Sequence, residues 1–108
     1  MTDRPVLWTR AARRDLEDIV ASIAEDSTAR AMQVLDRIER RTALLSSLRA
    51  RGRVVPELRA IGVDRYRELV EAPWRIVYRV EAERTIVMAV LDARRDLADI
   101  LLERLVRN

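Results

Sequence analysis

Apolar side chains recur along this chain with two different periods, and the change from one to the other divides it into elements. From Ala11 to Glu25, Leu16, Ile19, Val20 and Ile23 repeat at helical spacing and predict a one-sided helix. The short apolar run Val6 to Thr9 before it is a strand candidate anchored by Trp8. Thr9 is placed to cap the helix, its hydroxyl accepting an N–H of the first turn. Asp26-Ser27-Thr28 interrupts the pattern with cap-type residues and predicts a new start. A second helix is expected from about Thr28 to Leu48, with Ala31, Leu35, Ile38, Thr42 and Leu45 inward. The short connection makes the two an antiparallel helical hairpin.

Arg49 to Gly62 breaks the periodicity with Gly52, Pro56 and Gly62, and beyond it the period becomes two. Strands are predicted at Tyr66 to Val70, Trp74 to Val80 and Thr85 to Leu91. On the middle one, Trp74, Ile76, Tyr78 and Val80 share one face; Arg75, Val77 and Arg79 share the other. Thr85 to Leu91 is apolar almost throughout, as in a strand covered on both faces. Pro73 stands just before the middle strand, where a missing N–H matters least. Glu81 to Arg84 forms a four-residue hairpin connection. Asp96 starts a terminal helix with Leu97, Ile100, Leu101 and Leu105 on one stripe, and Leu102 and Val106 on a second apolar edge. The expected architecture is α+β in a single domain, residues 1–108: an N-terminal strand, an antiparallel helical hairpin, a three-stranded antiparallel meander completing one sheet, and a C-terminal helix.

Composition narrows the chemistry. The chain is 49% apolar and 36% charged, which is globular, and no apolar run approaches the ~18 residues of a membrane span. The N-terminus lacks the apolar core of a secretory signal, and there is no Cys, so the cytoplasm is the expected compartment. All 21 basic residues are arginine, with no lysine and no histidine. Thiol proteases, Ser-His-Asp hydrolases and zinc fingers are thereby excluded, and neither a metal nor another cofactor is expected. The net charge of +3 is uneven: residues 1–48 carry eight arginines and eight acids, whereas residues 49–79 carry eight arginines and four acids. An anionic partner would therefore meet the sheet side.

Several motifs in order resemble the RelE/ParE superfamily of type II toxin–antitoxin toxins, and the resemblance covers nearly the whole chain. They are Thr9-x-x-Ala12-x-x-Asp15-Leu16, then Tyr66-Arg67-Glu68-Leu69, Trp74-Arg75-Ile76-Val77-Tyr78-Arg79-Val80 and Val90-Leu91-Asp92-Ala93-Arg94-Arg95-Asp96-Leu97. The resemblance implies a bacterial toxin held inactive by a cognate antitoxin in a hetero-oligomer. Two activities occur in the superfamily: ParE-like members poison DNA gyrase, and RelE-like members cut mRNA on the ribosome without a metal. In the nucleases an arginine on the middle strand matches Arg75, and one after the last strand matches Arg94 or Arg95. The lysines of the preceding strand are absent here, Arg67 being the nearest substitute, and Ile100 stands about where the best-known members have a tyrosine.

Cleavage through a 2′-OH needs a base and donors for the phosphorane. Arg67, Arg75 and Arg94 could supply charge, but the nearby bases are only Glu68, Asp92 and Asp96. This favours gyrase inhibition over ribosome-dependent mRNA cleavage; a degenerate domain that only binds antitoxin is the third reading. Target-binding candidates are Arg75, Arg79, Arg94 and Arg95, each weighed against a structural role: Arg75 and Arg79 beside cross-strand partners such as Glu68, Arg94 in a loop cap with Asp92 and Asp96. Leu102 and Val106 are candidates for contact with antitoxin. The basic run Arg49, Arg51, Arg53 reads more readily as a solvated loop, and Tyr66, Trp74 and Tyr78 as core residues with a satisfied polar atom.

Overall fold

Thr9 ends the first strand and starts the first helix, and both roles follow from its backbone. Extended φ and ψ let its hydroxyl accept the Ala12 N–H at 3.0 Å, while its own N–H donates to the Val87 carbonyl of the sheet. The computed structural model describes residues 3–48 and 51–107. The chain runs β1 (Val6–Trp8), α1 (Arg10–Ala24), α2 (Thr28–Ala43), β2 (Arg53–Val54), α3 (Pro56–Arg59), β3 (Tyr66–Glu71), β4 (Trp74–Val80), β5 (Thr85–Asp92) and α4 (Leu97–Leu101), with a π turn over Leu102–Val106. Ser27 caps α2 by accepting the Arg30 N–H, so the break at Asp26-Ser27-Thr28 is a true restart.

The five strands form one sheet in the order β1–β5–β4–β3–β2, with β1 parallel to β5 and all other pairs antiparallel. The α1–α2 hairpin covers one face, over Leu16, Val34, Ile38, Leu69, Trp74, Ile76 and Tyr78. The opposite face, carrying Tyr66, Val77, Ala89 and Leu91, is covered by Leu58 of α3 and by Leu97, Leu101 and Leu105 of the C-terminal segment. Burial on both sides explains the apolar run of β5.

Two differences from expectation bear on the site. The second helix ends at Ala43 and passes into a 3-10 turn over Leu44–Ser46, short of Leu48. The stretch expected to be irregular holds β2 and α3, so the meander gains a fourth antiparallel strand. Gly52 shows why the chain returns to the sheet here. Its N–H donates to the Tyr78 hydroxyl at 2.8 Å, its carbonyl accepts from Arg67 Nη1 at 2.8 Å, and a Cβ would lie 2.3 Å from the Glu68 carbonyl oxygen. Only glycine permits that approach. Arg49 of the basic run lies outside the described residues.

The sheet edge beyond β1 is closed by side chains. A register shift between Val77 and Tyr78 leaves Met88 as a bulge, and Arg104 Nη2 donates to its carbonyl at 3.1 Å. Asp15 accepts the Val90 N–H at 3.0 Å and both of its oxygens accept from Arg104 Nη1. One carboxylate on α1 therefore ties the last strand to the C-terminal turn and satisfies backbone groups that β1 is too short to reach.

Candidate functional site

Arg75 stands on the α3 side of β4, diagonal to Glu68 on β3, because Val70 and Val77 are the residues directly opposite each in register. Its Nε donates to Glu68 Oε1 at 2.7 Å, and Nη1 and Nη2 donate to the two oxygens of Glu57 at 2.6 Å each. Glu68 Oε2 accepts from Arg53 Nε at 2.6 Å. The result is a chain of alternating charge, Glu57–Arg75–Glu68–Arg53, whose centre is sealed: Arg75 is 7% exposed and Glu68 1%. The hydrogen bond from Arg75 holds the Glu57 carboxyl below its ordinary value, against the opposing effect of burial. The same carboxylates, Glu57 foremost, hold Arg75 firmly charged.

Arg79, two residues on, does not join this site. It pairs with Glu81, which also takes Arg84, at the far end of the strand. Arg67 shares a face with Tyr78, its partner in register, and so lies on the side of the sheet opposite Arg75. Arg94 follows β5 in the open: its backbone N–H and Nε donate to Asp92 Oδ1, and Nη2 donates to Oδ2 at 2.7 Å. That pairing lowers the Asp92 carboxyl to about 2. Arg95 is exposed beside it, and Arg94, Arg95, Asp92, Asp18, Ile23 and Trp74 line a cleft of about 330 Å³ between α1 and the strand ends. The structure therefore brings Arg94 and Arg95 together, but Arg67, Arg75 and Arg94 occupy three separate places.

Of the C-terminal candidates, Val106 packs against the second core, whereas Leu102 lines a shallow groove with Ile100 and Arg107. Tyr78 is fully buried, its hydroxyl held by Gly52, and burial raises its pKa; the Tyr66 hydroxyl donates to the Leu105 carbonyl at 3.1 Å. Asp96 caps α4 through the Ala98 N–H and has no ion pair with Arg94 among the described residues. Among the described residues no cluster of acids could hold a metal ion, and no helix is long and apolar enough to cross a membrane.

Sequence reasoning missed Glu57, because a four-residue helix has too few positions to show a period. It also missed Asp15–Arg104, whose members are 89 residues apart. The one available signal was Asp15 itself, a charge on the inner half of an amphipathic helix.

Comparison with known proteins agrees with this architecture. No curated protein sequence matches the chain. The toxin–antitoxin structure described as the chromosomal ParDE system from P. aeruginosa superposes with a TM-score of 0.67 at 21% identity, over 82% of this chain and 95% of that one. The RelBE2 toxin–antitoxin complex from Mycobacterium tuberculosis superposes at 0.58 and 23% identity, over 85% and 93%. Both show the fold. The family model of the ParE toxin of the parDE type II toxin–antitoxin system matches residues 6–97, from the start of β1 to the first residue of α4. That span includes the Thr9 cap, the contact of Asp15 with the Val90 N–H and the Arg75 network, and the chain belongs to the ParE toxin family of type II toxin–antitoxin systems.

Proposed function

We propose that this ParE-family toxin arrests growth by inhibiting DNA gyrase through protein contact, and that a cognate antitoxin neutralises it by forming a complex with it. The observation that carries the choice is the state of Arg75. A nuclease would use this guanidinium to stabilise developing charge on a phosphorane, and would need it free and convergent with its partners. Here it is buried, its donors are taken by two carboxylates, and neither Arg67 nor Arg94 lies beside it. Opening the site to a phosphate would leave the buried Glu68 with only the solvent-facing Arg53 as counter-ion.

Arg94 and Arg95 are the target-binding residues of this reading. They stand exposed at the mouth of a cleft that also offers the apolar edges of Ile23 and Trp74. Arg79 sits at the opposite end of β4 as a secondary contact. Leu102, in its shallow groove, is assigned to antitoxin contact, with Val106 supporting it from below. The partnership with antitoxin follows from the family.

The test is a supercoiling assay with purified toxin, gyrase and relaxed plasmid. Supercoiling should be lost in a dose-dependent way and restored by antitoxin, and the inhibition should be at least tenfold weaker with an Arg94→Gln/Arg95→Gln variant of unchanged melting temperature. Undiminished supercoiling at a large molar excess of toxin would refute the proposal.

A further inference from the structure

The segment from Arg51 to Arg67 carries five arginines and two acids, a net +3, in a chain whose first 48 residues balance. Both oxygens of Glu57 face Arg75, and Asp64 forms no ion pair among the described residues. Glu68, next along the sheet, is divided between Arg75 and Arg53. Arg51, Arg59 and Arg65 are exposed and have no carboxylate partner among the described residues, and the Arg53 side chain is 60% exposed despite its pairing.

Topology gathers these cations at one corner. β2 is the edge strand, Arg53 and Val54 pair with Glu68 and Arg67, α3 follows β2 directly, and Arg65 precedes β3. The corner is also stiff. Gly52 is clamped between Tyr78 and Arg67, Val55 and Leu58 are buried, and the Arg65 guanidinium rests 5.1 Å from the centre of the Tyr66 ring. Guanidinium groups on a rigid mount grip phosphate in two-point contacts and lose less freedom in doing so than side chains of a floppy loop.

We infer that the β2–α3 corner is a docking surface for the phosphate backbone of duplex DNA. Duplex DNA carries about one charge per 1.7 Å of axis, the density that a group of unneutralised arginines matches. Single-stranded nucleic acid is normally held by stacking bases on aromatic rings. Here Tyr66, Trp74 and Tyr78 are all buried, and Trp8 is on β1 at the opposite edge of the sheet. The corner therefore offers charge and no stacking platform, which suits backbone contact without sequence reading. This rests on the gyrase reading, and gives the toxin a hold on the DNA that gyrase is acting upon.

The experiment measures binding of the full chain to a fluorescent 20-base-pair duplex by anisotropy, without gyrase, over 50 to 200 mM salt. Three to four phosphate contacts predict a log–log salt slope of roughly −3, an affinity loss of about 40- to 150-fold across that range. The Arg51→Gln/Arg59→Gln/Arg65→Gln variant should bring the slope above about −1 with an unchanged melting temperature. The equally exposed Arg13→Gln/Arg14→Gln/Arg30→Gln set should leave it near −3. Equal loss in both sets, absence of duplex binding, or equal or tighter binding to single-stranded RNA or polyglutamate would overturn the inference. Gyrase inhibition is scored separately. Inhibition without duplex binding would overturn the DNA surface and leave the gyrase reading standing. Duplex binding without inhibition would uphold the surface and overturn the gyrase reading.

Discussion

Glu68 and Arg53 are joined by one hydrogen-bonded pair, yet their removal should have very different consequences. Glu68→Ala leaves the Arg75 guanidinium buried with only Glu57 to balance it, and should destabilise the fold by about 3–5 kcal/mol. Arg53→Gln removes the solvent-facing partner, and its effect should stay below about 1 kcal/mol. Urea denaturation of both variants checks the contrast, and equal effects would mean the network is not sealed. Arg75→Ala should be as damaging as Glu68→Ala, so loss of toxicity in that variant reports unfolding unless its melting temperature is unchanged. Gly52→Ala forces a Cβ into the Glu68 backbone and should destabilise by about 1–3 kcal/mol. The acid side is set by carboxylates with lowered pKa. Asp92 drops from its ordinary value to about 2 beside Arg94, and Glu57 is lowered beside Arg75. A lowered folded-state pKa contributes stability above the unfolded value that is lost as pH falls through the folded one. Stability should therefore decline below about pH 4.5, the loss through Asp92 lying between about pH 4 and 2. In Asp92→Asn the last part of that decline should flatten, as a chemical-denaturation series from pH 5 to 2 would show.

At the scale of elements, the strongly periodic segments were legible and the short ones were not. The middle strand reads off as Trp74 to Val80 because its aromatic and aliphatic residues alternate cleanly with Arg75, Val77 and Arg79. Both helix starts were visible because Thr9 and Ser27 carry their own hydrogen-bonding signal. β2 and α3 were hidden because two and four residues present no period, and they are fixed by Gly52, Val55 and Leu58 packing onto a sheet formed elsewhere. The candidate site was half legible for the same reason. Arg75 could be named, but a strand pattern does not tell a solvated arginine from one buried beneath a distant helix. The tie from Asp15 to Arg104 makes an element-level prediction. Arg104→Ala should speed hydrogen exchange at the Val90 amide and through Leu101–Val106, and leave α2 unchanged. Faster exchange throughout would show that the tie holds the whole fold and not the C-terminal segment.

Considered whole, the molecule keeps its buried charge and its exposed charge apart. The network around Arg75 fastens α3 to the sheet from within, whereas Arg94, paired with Asp92, and Arg95 at one end, and Arg51, Arg59 and Arg65 at the β2 edge, lie exposed. The gyrase proposal rests on that separation, because a toxin acting by chemistry needs its charged groups to converge on one reacting atom. The most direct test follows controlled expression in bacteria, with plasmid topology and mRNA integrity measured in the same cells. Gyrase inhibition predicts relaxed or broken plasmid DNA with intact transcripts, and antitoxin co-expression should reverse the effect. Codon-phased mRNA cleavage with normal plasmid topology would contradict the account and require Arg75 to leave Glu57 and Glu68 during catalysis.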